Sequence, residues 1–120
     1  MSNENLKTRT RQFALRVIKL VESLPNDTTS KVLGKQLLRA GTSVGANYRA
    51  ACRSKSAADF ISKMGTVEEE ADESGYWMEL LIESGKISMV KAADLIKEAS
   101  ELTAIAVSSI NTARKSASRR

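Results

Sequence analysis

Gln36-Leu37-Leu38-Arg39-Ala40-Gly41-Thr42-Ser43-Val44-Gly45-Ala46-Asn47-Tyr48-Arg49-Ala50-Ala51 lies in the first half of a 120-residue chain. Its reading decides the fold. With Leu33 added, the apolar residues Leu33, Leu37, Ala40, Val44, Tyr48 and Ala51 recur every three or four positions, the period of a helix with one buried stripe. The spacing predicts a helix over 31–53. The middle of that helix breaks a local rule. Gly41-Thr42-Ser43-Val44-Gly45 has poor helix propensity, each glycine costing about 1 kcal/mol relative to alanine. Gly41 and Gly45 are four apart and share a face. Close packing of a second helix within the chain, a subunit interface, or a ligand on the backbone would each offset the cost.

Outward from this segment the same period continues. Phe13, Val17, Leu20, Val21 and Leu24 predict a helix over 6–24, ending near Pro25. The loop 26–30 is rich in helix-capping residues. Ser56 with Asp59 resembles a capping box and opens a helix over 57–84. Phe60, Met64, Val67, Ala71, Met78, Leu81 and Ile82 form its stripe, and Gly85 suits its C-terminal cap. Ser88 opens a fourth helix over 89–115, with a near-heptad seam of Ala92, Leu95, Ala99, Leu102, Ala106, Ile110 and Ala113. Residues 116–120 are expected to be a disordered tail. Short connections make successive helices antiparallel neighbours. The expected fold is all-α: one up-down-up-down four-helix bundle spanning 1–120.

Composition excludes several classes of function. The chain has no histidine and one cysteine, so His-based triads, zinc hydrolase sites and intrachain disulfides are out. No apolar run is long enough to span a membrane. The N-terminus has no signal-peptide core. A cytoplasmic protein without a cofactor is expected. Cys52, with no histidine to activate it, reads as a structural thiol.

The run 36–51 strongly resembles the bacterial four helix bundle protein family, first noticed inside intervening sequences of 23S ribosomal RNA genes. Asp59-Phe60-Ile61-Ser62-Lys63-Met64 matches that family too, as does the stretch from Glu69 through Tyr76-Trp77-Met78 to Leu81. The resemblance implies an up-and-down bundle assembled as a homopentameric ring, and a non-enzymatic binding or scaffold role. More distantly the chain is similar to the accessory variability determinant proteins of diversity-generating retroelements. Those are basic pentamers that bind nucleic acid and a reverse transcriptase. At Ala50 many relatives carry a glutamate, so Arg49 must find another partner or stay in solvent.

Charge sharpens the reading. The net charge is +5. Residues 1–63 carry twelve Lys and Arg against four acids, 64–101 three against ten, and 102–120 four against none. In an antiparallel bundle the N-terminus, the turn near Lys55 and the C-terminus fall at one end. Lys7, Arg9, Arg11, Arg49, Arg53, Lys55, Arg114, Lys115, Arg119 and Arg120 are expected to converge there as a footprint for RNA or DNA phosphates. Structured RNA is the favoured partner. A neighbouring gene product bound by the ring, a reverse transcriptase among them, is the alternative.

A hairpin centred near Lys55 sets Arg39 beside Glu70 and Glu73, an expected interhelix ion pair. It sets Asn47 opposite Lys63, where it would bridge helices by hydrogen bonds or sit in a subunit contact. Tyr76 and Trp77 lie on adjacent helix faces, so one must turn away from its own core and suit a subunit interface. Glu69, Glu70 and Glu73 with Glu98 and Glu101 give a further enzymatic alternative. If the two motifs faced each other they would suit Mg²⁺, as in an all-α nucleotide pyrophosphatase. The simpler expectation has these acids paired with Arg and Lys.

Overall fold

A computed structural model describes residues 3–119, with side chains from Asn5 onward. Four helices follow one another: α1 (Asn3–Glu22), α2 (Thr28–Cys52), α3 (Ala57–Glu83) and α4 (Met89–Ser118). No strand occurs among the described residues. Each helix packs against the next, and α1 also touches α4, more lightly than it touches α2. The result is a sequential antiparallel bundle measuring 53 × 21 × 20 Å.

The helix ends follow from local chemistry. Asp27 caps α2, its carboxylate accepting from the Ser30 N–H at 2.8 Å and the Ser30 hydroxyl at 3.1 Å. The backbone hydrogen bond from Ser30 is the main cause holding the Asp27 carboxyl below its ordinary range. Ser56 caps α3 by accepting from the Asp59 N–H at 3.0 Å. Asp59 answers by accepting from the Lys55 N–H at 3.3 Å, so the capping box is displaced by one residue. Gly85 takes a left-handed φ of +79°. The Gly85 N–H then reaches the Ile82 carbonyl at 2.9 Å and the Lys86 N–H that of Leu81 at 2.8 Å, a Schellman closure only glycine adopts without strain. At that turn the Lys86 ammonium lies 3.5 Å from Asp27, tying the two turns of this end together.

Most of the predicted stripe residues form the core: Phe13, Val17, Leu37, Val44, Met64, Met78, Leu81 and Leu102 are all but inaccessible, Leu6 joins them, and Leu33, Phe60 and Ile82 are only partly buried. α4 departs from expectation at its C-terminus. Ser116, Ala117 and Ser118, expected in a disordered tail, are helical. Ser116 and Ala117 line an apolar notch with Ala57 and Phe60 of α3, so packing on α3 carries the helix past Lys115.

Candidate nucleic-acid interface

The molecule's charge is sorted by helix. From Asn5 to Val21 the chain has no acid, nor has it one between Asp27 and Asp59. The α1–α2 hairpin is therefore basic from turn to turn, and α3 carries most of the acids. Two arginines of the hairpin are held by acids of other helices. Arg39 donates to Glu70 at 2.8 Å and lies 3.7 Å from Glu73. The Arg39 side chain is 53% exposed and that of Glu70 only 10%; the carboxylate is the buried partner, the reverse of an arginine sunk in the core. Glu73 has its carboxyl raised above the ordinary range, chiefly by a hydrogen bond to Glu70 and then by burial.

The second arginine is Arg9. It donates to both oxygens of Glu98, at 2.7 and 2.8 Å, and lies 3.6 Å from Glu101. This bidentate pair clamps α1 to α4, and the hydrogen bonds to Glu98 raise the guanidinium's already high pKa. Glu98 precedes Arg114 by sixteen residues of helix, about 24 Å at 1.5 Å per residue. Arg9, expected in the terminal basic cluster, thus sits against the middle of α4 and is already paired. Turn position sets the register of successive helices only, and the α1–α4 contact is a closure between the chain's first and last helices.

The other expected cations divide into two groups. Lys7 and Arg11 of α1 and Arg49 of α2 line one cleft between these helices. Arg53 and Lys55 at the α2–α3 turn and Arg114, Lys115 and Arg119 on α4 are exposed. The notch formed by Ala57, Phe60, Ala113, Ser116 and Ala117 sets the start of α3 and the end of α4 at the same level. Arg120 lies outside the described residues. Arg49, beside Ala50, is exposed.

The structure gives each remaining candidate a place. A Cβ added to Gly41 would meet the Val17 side chain at 2.8 Å, and one on Gly45 would meet Thr10 Oγ1 at 3.3 Å. Both glycines let α1 approach α2 within the chain. Asn47 does not reach Lys63; its amide donates to the Ser43 carbonyl and hydroxyl of its own helix, each at 2.8 Å. Trp77 packs on the core. Tyr76 turns outward at 53% exposure, its ring edge-on to Trp77 at 5.1 Å. No apolar stripe in the sequence marks the groove beside it. Asp72, Gly75, Tyr76 and Glu79 of α3 face Ile96, Ser100 and Ala104 of α4 across about 510 Å³.

The two acid motifs do not face each other. Glu70 and Glu73 turn toward α2, while Glu98 and Glu101 turn toward α1. Among the described residues no group of three or more His, Cys, Asp or Glu is placed to hold a metal ion. Glu70, Glu73, Glu98 and Glu101 are instead paired with arginines, as in the simpler expectation. No helix of the described residues is long and apolar enough to cross a membrane.

Fold and charge together define an antiparallel four-helix bundle with one strongly basic helical hairpin, its acids confined to Glu4, Glu22 and Asp27. Residues 3–108 match the family model of the 23S rRNA-intervening sequence protein, and the chain belongs to that family. It is similar in structure to a protein of unknown function from the S23 ribosomal protein family of Bacteroides thetaiotaomicron. The two share 36% identity with a TM-score of 0.85, over 92% of this chain and 99% of that one. No curated protein matches the chain.

Proposed function

We propose that this protein is an oligomeric, non-enzymatic bundle that contacts structured RNA through phosphates at its basic end. The observation that carries the reading is the absence of acids from Asn5 to Val21 and from Thr28 to Ala58, where exposed Arg49, Arg53 and Lys55 join Arg114, Lys115 and Arg119 of α4 at one end. Cations that far outnumber the acids beside them raise the local concentration of polyanions and favour their phosphates.

Self-association draws support from the other side of the bundle. Gly75 costs the helix stability, yet a Cβ there would meet nothing within 4 Å. Packing within the chain does not account for it, whereas a neighbour approaching the groove beside Tyr76 would. The acids of the groove, Asp72 and Glu79, complement Lys31 and Lys35 on the outer surface of α2. Two different faces meeting in this way close into a ring when the rotation between subunits closes, and five subunits is the number the family resemblance implies.

The test is anisotropy of a labelled RNA hairpin with two charge-neutralised proteins. Changing Arg53, Lys55, Arg114 and Lys115 to Gln should weaken binding at least tenfold. Changing Lys19 and Lys91 to Gln, exposed at the other end, should leave RNA affinity within about twofold. Equal affinities for wild type and the first variant would overturn the reading.

A further inference from the structure

The α1–α2 cleft differs from the rest of the basic surface because its cations face one another across a concave space. Lys7, Thr8 and Arg11 come from the first turns of α1, and Thr42, Gly45, Ala46 and Arg49 from α2; the space is about 570 Å³. Arg11 and Arg49 each make no hydrogen bond or ion pair among the described residues. No acid exists on either helix between Asn5 and Val21 or between Thr28 and Cys52 to neutralise them. Two guanidinium groups lining one cleft repel each other, and a shared anion would relieve that repulsion.

We infer that this cleft is a seat for a single phosphate group, bound between Arg11 and Arg49. The inference rests on the polyanion reading and locates one of its contacts. A guanidinium presents planar, paired N–H donors that match phosphate oxygens, and two of them on opposite walls engage a tetrahedral anion from both sides. The Thr8 hydroxyl is exposed and adds a donor at the rim. The Thr42 hydroxyl proton is already given to the Leu38 carbonyl at 2.8 Å, so Thr42 shapes the wall without donating. Gly45 and Ala46 keep the α2 side shallow, leaving the arginines as the groups that reach the ligand. The phosphate belongs to a nucleic-acid backbone or to a free phosphate compound, and the two sources are separable.

The experiment compares wild type, Arg11→Gln, Arg49→Gln and the Gln variant of Arg53, Lys55, Arg114 and Lys115. Each is titrated with an RNA hairpin and, separately, with inorganic pyrophosphate. Circular dichroism melts of the single variants should match wild type, since both side chains are exposed. Arg11→Gln and Arg49→Gln should each weaken RNA binding about three- to tenfold and lower the salt slope by about one. Each should also abolish pyrophosphate binding, which the variant of the other four cations retains. If wild type binds pyrophosphate but no RNA, and the single variants lose pyrophosphate, the seat stands for free phosphate and the RNA reading falls. If RNA binding survives both single substitutions unchanged while the other four cations matter, the seat is overturned and the RNA reading stands. Binding of neither probe by wild type overturns both.

Discussion

Arg39 shows how one residue ties sequence to stability. Its guanidinium is half in water, but the Glu70 carboxylate it serves is nearly buried. Arg39→Ala therefore strands an acceptor, at a cost of about 1–3 kcal/mol. Adding Glu70→Gln should recover part of the loss in urea unfolding, because an amide is cheaper to bury than an unpaired carboxylate. A fully additive pair of substitutions would contradict the coupling. Glu73 adds a pH signature. Its carboxyl is raised, mainly by the hydrogen bond to Glu70. Its contribution is present below the ordinary carboxylate range and is lost as pH rises through the raised value. Glu73→Gln should flatten that segment of the stability profile. Asp27 acts in the opposite sense: its carboxyl is lowered by the Ser30 backbone bond, so its contribution holds at neutral pH and is lost as pH falls through the lowered value.

At the scale of the elements, the glycines separate into those that packing explains and those it does not. Gly41→Ala would drive a Cβ into Val17 at 2.8 Å, a buried β-branched side chain with no room to move. Overpacking of about 1–3 kcal/mol outweighs the propensity gain of about 1 kcal/mol, so melting temperature should fall. Gly65 has open space at its Cβ, and Gly65→Ala should raise it. A lower melting temperature for Gly65→Ala, or an unchanged one for Gly41→Ala, would refute this packing. The four helices were legible because period, caps and Gly85 agree with one another. The Arg39–Glu70 contact was legible because a hairpin register follows from the position of its turn. The Arg9–Glu98 clamp was not, since 89 residues separate its partners and no turn sets that register. Lys7, Arg11 and Arg49 were legible as part of a basic footprint but not as a cleft, because its concavity depends on how closely α1 lies on α2. The α3–α4 groove escaped notice because Gly75, Ser100 and Ala104 form no apolar stripe.

The whole molecule is a rod with its charge divided both along its length and around its circumference. The acid-bearing α3 and the exposed Tyr76 lie in the half of the bundle away from the α1–α2 cleft. One surface is thereby available for self-association while the basic end remains open to RNA. Light scattering at micromolar concentration should give a multiple of the 13.1 kDa chain mass, and Tyr76→Glu should shift it toward the monomer; a monomeric wild type would refute the assembly. The central claim, that unpaired cations make a phosphate-binding surface, is tested most directly by the salt dependence of wild-type affinity for an RNA hairpin. Three or more phosphate contacts predict a linear fall of log affinity with log salt, of slope about −2 or steeper, little changed when the hairpin's sequence is scrambled. A slope near zero, or no binding at low salt, would contradict it.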